Sequence, residues 1–167
     1  MSAKTKFDPL VRFAEIEGLV AKVYFRFSHL FIDQPEIRDF WWEMAKQEEQ
    51  HAAILIACKA VIGNYPDESV DPSITRDKAD QLRSKLNAYL GKGTPSITVD
   101  KAFQVALDIE SSEIDAIYSK LLHLGGPDVA KTMANLGVPA SVQRHKLKAA
   151  LRRFSKNPKL LEAAARF

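Results

Sequence analysis

Cysteine is almost absent from this chain: Cys58 is the one thiol in 167 residues. A lone thiol closes no internal disulfide, so a disulfide-stapled secreted scaffold is excluded. The same count excludes zinc knuckles built on paired cysteines. Long apolar runs are also lacking, and none approaches the roughly 20 residues that a membrane span needs. Charge of one sign is not in excess either. The 24 basic and 21 acidic residues leave +3, which makes no case for nucleic acid or a membrane surface as a partner. The first residues, Met1 to Pro9, lack the apolar core of a signal peptide, so a cytoplasmic address is expected. Glycine and proline are few, 7 and 8. They cluster at 33–35, 63–72, 91–95, 125–127 and 137–139, which marks these as breaks between longer elements.

What remains is helical periodicity. No stretch alternates as a strand would, and no Asn-Gly or Asp-Gly hairpin signal occurs. A first long helix, A, is expected over 8–31, with Leu10, Phe13, Val20, Tyr24, Phe27 and Phe31 in steps of mostly three and four. Helix B is expected over 35–62, opened by Pro35, with Trp41, Met44, Leu55, Cys58 and Ile62 on one line. A loop over 64–72 and a weaker helix over 74–90 follow, the latter reading as an outside crossover. Helix C is expected over 98–125, with Phe103, Ala106, Ile117, Leu121 and Leu124 inward. Helix D is expected from Pro127 to Phe154, interrupted at Gly137-Val138-Pro139. Residues 155–167 read as a basic tail or short helix. Two hairpins and one long crossover make an all-α, antiparallel four-helix bundle, and the whole chain is expected to be one domain.

Three of these apolar lines are broken by charge. Glu17 fills the gap between Phe13 and Val20, whereas Glu15 lies on another face. Glu48 and His51 fill the gap between Met44 and Leu55. Glu110 and Glu113 fill the gap between Ala106 and Ile117. One glutamate on an apolar stripe is ordinarily a snorkelling or interface residue. Four carboxylates and a histidine aimed at one core need a cation, because burying isolated carboxylates costs several kcal/mol each and like charges repel. Oxygen ligands with imidazole suit iron, manganese or zinc. Glu48 and His51, three residues apart on a helix, can reach one centre together.

In this order and on these faces, the residues resemble the rubrerythrin branch of the ferritin-like di-iron superfamily. The resemblance covers about residues 8–154. It rests on Glu17 with Tyr24 seven residues later, on Glu48-x-x-His51, on Glu110-x-x-Glu113, and on His145 in the fourth helix. It implies a ferritin-like bundle and a di-iron (or zinc) centre with metal ligands Glu17, Glu48, His51, Glu110, Glu113 and His145. It also implies an exchange of Glu113 with His51 at the metal, a supporting hydrogen bond from Tyr24, and oxidoreductase chemistry on peroxide or dioxygen. A homodimer is implied as well. Trp41 and Trp42, adjacent near the start of helix B, face different directions, so one is expected to pack inside and the other to lie at a subunit interface. Val142 stands where the resemblance would place a glutamate. The apolar arc Leu147, Leu151 and Phe154 also leaves two registers open. In one, His145 faces the centre. In the other, His145 points out and Arg144 or Gln143 faces in, Arg144 then answering the charge of Glu110 and Glu113. Full-length rubrerythrins carry a rubredoxin domain with paired Cys-x-x-Cys, which one cysteine cannot form, so redox work would need a separate electron-donor protein.

Three functional readings follow: a rubrerythrin-like oxidoreductase, a metal-binding or storage protein with a partly lost site holding one iron or zinc, and a metal-free interaction module. His29 and His123, near helix ends, read as surface or capping residues. Cys58 reads as a buried small hydrophobe, and the Lys- and Arg-rich stretch 144–159 as a solvated helix face.

Overall fold

The computed structural model describes residues 6–63, 74–91 and 96–167. The loop expected over 64–72 lies outside them, as do parts of the break at 91–95 and of the first nine residues. Among the described residues the chain is all-helical, with eight α-helices, one 3-10 turn and no strand. The helices are α1 (Pro9–Leu30), α2 (Pro35–Ile62), α3 (Arg76–Gly91), α4 (Val99–Glu110), α5 (Ile114–Leu122), α6 (Pro127–Ala134), α7 (Ala140–Phe154) and α8 (Pro158–Ala165). None of them is long and apolar enough to cross a membrane.

Local chemistry sets these boundaries. The Asp8 carboxylate accepts from the backbone N–H groups of Leu10 and Val11 at 3.0 and 3.3 Å, and Pro9 occupies the first turn of α1. Thr98 caps α4 through Lys101 N–H at 3.1 Å, and Asn157 caps α8 through Lys159 N–H at 3.0 Å. The turn Phe31–Gln34 folds α2 back along α1. Ser28 bonds the Arg38 carbonyl, Tyr24 meets Trp41, and Asp8 pairs with Lys59, so the two helices run antiparallel over most of their length.

The core of this hairpin is aromatic. Trp41 is fully buried, with the rings of Tyr24, Phe27, Phe40 and Phe103 at 5.5, 5.1, 4.8 and 5.0 Å from its own. Phe103 brings α4 onto α1 and α2. Helix α3 lies against α1 through buried Ala79, Leu82 and Leu86. Residues 158–165 form α8, which packs on α4 with Leu160 and Ala164 buried.

The continuous helix expected over 98–125 does not form. It breaks between α4 and α5 at Ser111, Ser112 and Glu113. Ser112 N–H turns to the Ile109 carbonyl, three residues back instead of four, at 3.0 Å. Both serine hydroxyls also donate to helix carbonyls, Ser111 to Leu107 and Ser112 to Ile109. Serine side chains that compete for backbone acceptors weaken a helix interior. The ladder restarts with Ile117 N–H on the Glu113 carbonyl at 2.9 Å, and the register of every later side chain is turned. The fourth helix is split as its Gly-Val-Pro break suggests, into α6 and α7.

Trp41→Ala is expected to lower stability by about 3–5 kcal/mol, the usual loss for a large buried ring. Trp42, 54% exposed with one edge contact to Phe25, should lose less than about 1 kcal/mol on the same change. Urea unfolding of both variants checks this; equal losses would show that the aromatic cluster does not hold the hairpin.

Candidate metal centre

Glu17 in α1 and Glu48 and His51 in α2 face each other across the hairpin. All three are buried, at 1%, 2% and 0% exposure. One ligand atom from each lies within 4.8 Å of the others, forming a Glu–Glu–His group. The spacing 48–51 places carboxylate and ring on one face, and Glu48 Oε2 stands 3.2 Å from His51 Nδ1. The other ring nitrogen, Nε2, lies 3.0 Å from the Val138 carbonyl. Because a carbonyl only accepts, Nε2 carries the proton. In the neutral ring the Nδ1 lone pair is therefore aimed at the two glutamates. Fixing the tautomer of a ligating histidine by a carbonyl at its far nitrogen is a recurring device of metal sites.

Val138 belongs to the connection between α6 and α7, and the chain there passes close to α2. A Cβ on Gly137 would lie 2.7 Å from Ile54 Cδ1, so a side chain at 137 would have to displace the end of the Ile54 side chain. Val138 N–H also donates to Gln50 Oε1 at 3.3 Å, which pins the same turn. The far face of the His51 ring stacks on Tyr118 of α5, 4.5 Å between centroids.

A second group of charges adjoins the first. Glu110, at the end of α4, accepts from the Tyr24 hydroxyl at 2.6 Å. Asp115, in the first turn of α5, is 7% exposed and pairs with Arg144 of α7, Nε to Oδ2 3.4 Å. Arg144 also reaches the Glu110 carbonyl at 3.4 Å and lies over the Phe167 ring at 5.0 Å. Gln143, fully buried, donates its side-chain amide to Glu48 Oε1 at 2.5 Å.

The structure thus brings Glu17, Glu48 and His51 together, with Glu110 and Tyr24 beside them. It does not bring in Glu113 or His145. The break at Ser111–Ser112 turns Glu113 out, where its half-exposed carboxylate pairs with Lys78 at 3.0 Å. The expectation that Glu113 shares the inward face of Glu110 is corrected accordingly. His145 is exposed on α7, because the apolar arc Leu147, Ala150 and Leu151 takes the core side. Of the two registers left open by the sequence, the one with Gln143 and Arg144 inward is observed. Asp115 was missed: in an unbroken helix it would lie off the core line. The adjacent serines were the signal for the break.

Electrostatics mark this cluster as strained without a cation. Burial first, and then the charge of Glu48, push the Glu17 carboxyl well above its ordinary value. Burial, with Glu48 and Asp115, does the same to Glu110, against the opposing Tyr24 hydrogen bond. Asp115 is raised by burial and by Glu48, with Arg144 opposing. For His51, burial disfavours the charged ring, but the neighbouring Glu48 carboxylate, with the Val138 carbonyl and Asp115, outweighs it and the net shift is upward. Both oxygens of Glu17, Glu48 Oε2 and His51 Nδ1 are buried and have no hydrogen-bond partner. Orphaned atoms of this kind call for an explanation. Two carboxylates and one imidazole lone pair converging on one point fit a divalent transition metal. A cavity of about 160 Å³ lies between α5 and the α6–α7 connection, lined in part by Asp115, Tyr118, Gly137 and Val138; of these, the Tyr118 ring and the Val138 carbonyl border His51. Protein-family models, curated proteins and solved structures give no match to this chain, so the chemistry of the cluster itself carries the functional reading.

The raised carboxyls and the raised histidine act in one direction. Each holds its proton in the folded chain at a pH where the unfolded chain has released it, so each stabilises less as pH rises. The window opens near 4.5 for the glutamates and 6.5 for His51. Metal-stripped protein is expected to melt at lower temperature at pH 8 than at pH 5. The slope should be about 1.4 kcal/mol per pH unit for each group inside its window. Glu17→Gln, which mimics the protonated acid, should flatten that slope. Thermal melts across this range check it, and a melting temperature that rises with pH would refute it.

Proposed function

We propose that the protein is a metal-binding carboxylate protein built as a ferritin-like four-helix bundle of rubrerythrin type, with iron or zinc held by Glu17, Glu48 and His51. One observation carries the reading: the ligand atoms of these three residues lie close together in a buried place, Glu17 Oε1 and Oε2 have no hydrogen-bond partner, and Glu48 Oε2 and His51 Nδ1 face only each other. The order of elements supports the architecture. Helices α1 and α2 form the first hairpin, α3 lies in the crossover, α4 with α5 form a broken third helix, and α6 with α7 form a broken fourth.

With iron, the resemblance implies oxidoreductase work on peroxide or dioxygen, iron supplying the redox electrons. The chain's own part would be positional. Tyr24 holds Glu110, the Val138 carbonyl fixes the His51 tautomer, and the surrounding rings keep bulk water out. The reducing electrons would come from a separate donor protein, and a homodimer with Trp42 at its interface belongs to the same proposal. A second reading, metal binding or storage without turnover, is favoured by two contacts. Glu113, the residue expected to exchange at the metal, faces Lys78, and Asp115 is answered by Arg144.

Glu48→Ala removes a ligand without filling the space. Bound iron or zinc, measured by elemental analysis after reconstitution without oxygen, is expected to fall by tenfold or more. The wild-type chain should gain about 2.7 kcal/mol of stability at a free metal concentration 100 times the dissociation constant, and the variant almost none. Unchanged metal content in Glu48→Ala would place the metal elsewhere. Peroxide consumption by the iron-loaded wild type, with a chemical reductant, then separates turnover from storage.

A further inference from the structure

The acids of this core fall into two unequal halves. In one half, both oxygens of Glu17 are buried without a partner, and Glu48 Oε2 and His51 Nδ1 face only each other, at 3.2 Å. In the other half every carboxylate already faces a donor of the chain. Glu110 Oε1 accepts from Tyr24 at 2.6 Å, and Asp115 Oδ2 faces the Arg144 guanidinium at 3.4 Å as an ion pair, without a hydrogen bond. Glu48 stands between the halves. It could bridge two ions through its two oxygens, but Oε1 is taken by the Gln143 amide at 2.5 Å. Gln143 is itself fully buried and neutral. A carboxamide supplies no charge to a second ion and keeps its N–H groups pointed at the oxygen that ion would need.

We infer that this chain binds one divalent metal ion and not two, because Arg144 serves as a built-in cation where a second ion would sit and Gln143 closes the bridging oxygen of Glu48. This rests on the metal reading proposed above and deepens it. The guanidinium meets the demand that burial of Asp115 creates, and its position is held by the Glu110 carbonyl and the Phe167 ring. A second divalent ion beside Asp115 would have to approach this fixed positive charge at close range. The Coulomb repulsion opposes that approach on the buried Asp115 side, the Arg144 side chain itself being 40% exposed. The remaining half retains a compact donor set of two carboxylates and one imidazole, with room for water in the other ligand positions.

The test is stoichiometry. Metal-stripped chain is titrated with Zn²⁺, and in parallel with Fe²⁺ under anaerobic conditions. Excess is removed by gel filtration over a weak chelator, and metal per chain is measured by elemental analysis. The result expected is one ion per chain, with either metal. Two ions per chain would overturn the inference while leaving the metal reading intact. No bound ion would overturn the metal reading, and the inference with it. The double variant Gln143→Glu, Arg144→Met, checked for helical content by circular dichroism, is expected to bind two ions per chain. A folded double variant that still binds one would overturn the roles assigned to these two residues. Lys59, which pairs with Asp8 far along the hairpin, gives a control. Lys59→Met removes a cation of the same kind outside the cluster and should leave the stoichiometry at one.

Discussion

Charge removed from water has to be answered by charge, by a proton or by a metal. In this protein the demand arises where α1, α2, α4 and α5 meet, at Glu17, Glu48, Glu110 and Asp115. Fully ionised, four carboxylates against the single guanidinium of Arg144 would leave three negative charges in one buried place. No helical packing energy on the scale of a small domain accommodates that without help. The raised affinities of Glu17, Glu110 and Asp115 for protons are the metal-free answer. A divalent ion between Glu17, Glu48 and His51, as proposed, would be the other. On the proposed metal-binding reading, stability and function are in opposition here, as is common at functional sites.

The fold serves this cluster by making its walls rigid. The α1–α2 hairpin holds all three of its groups on facing helices, and the Trp41 cluster locks that hairpin about two to three turns away. The third constraint comes from a distant part of the chain. The α6–α7 connection, drawn close to α2 at Gly137, presents the Val138 carbonyl to His51 and so decides which ring nitrogen faces the acids. The break between α4 and α5 has a comparable effect. It removes Glu113 to the surface and substitutes Asp115, a shorter acid within reach of Arg144.

Much of this was legible in the sequence. The all-helical class follows from long three-and-four periodicity with scarce glycine. The burial of Glu17, Glu48, His51 and Glu110 follows from their places in gaps of apolar lines, and Glu15 was rightly set apart as exposed. What could not be read were the consequences of breaks. Periodicity carries register through a helix only as long as the hydrogen-bond ladder is continuous. At Ser111–Ser112 it is not, so Glu113 and Asp115 exchange faces. In α7 the apolar arc did identify the inward side, but the Gly-Val-Pro break before it left the choice between His145 and its neighbours open. The Val138 carbonyl lies beyond any sequence rule, because a backbone acceptor that is 87 residues away leaves no mark in residue types.

The central claim, that His51 presents Nδ1 to a metal shared with Glu17 and Glu48, is met most directly by diffraction from zinc-soaked crystals recorded on both sides of the zinc absorption edge. The account requires an anomalous peak bonded to His51 Nδ1 and to oxygens of both glutamates, with Nε2 still on the Val138 carbonyl. A zinc ion bound at the surface alone, with Glu17 and Glu48 paired as acids, would contradict it.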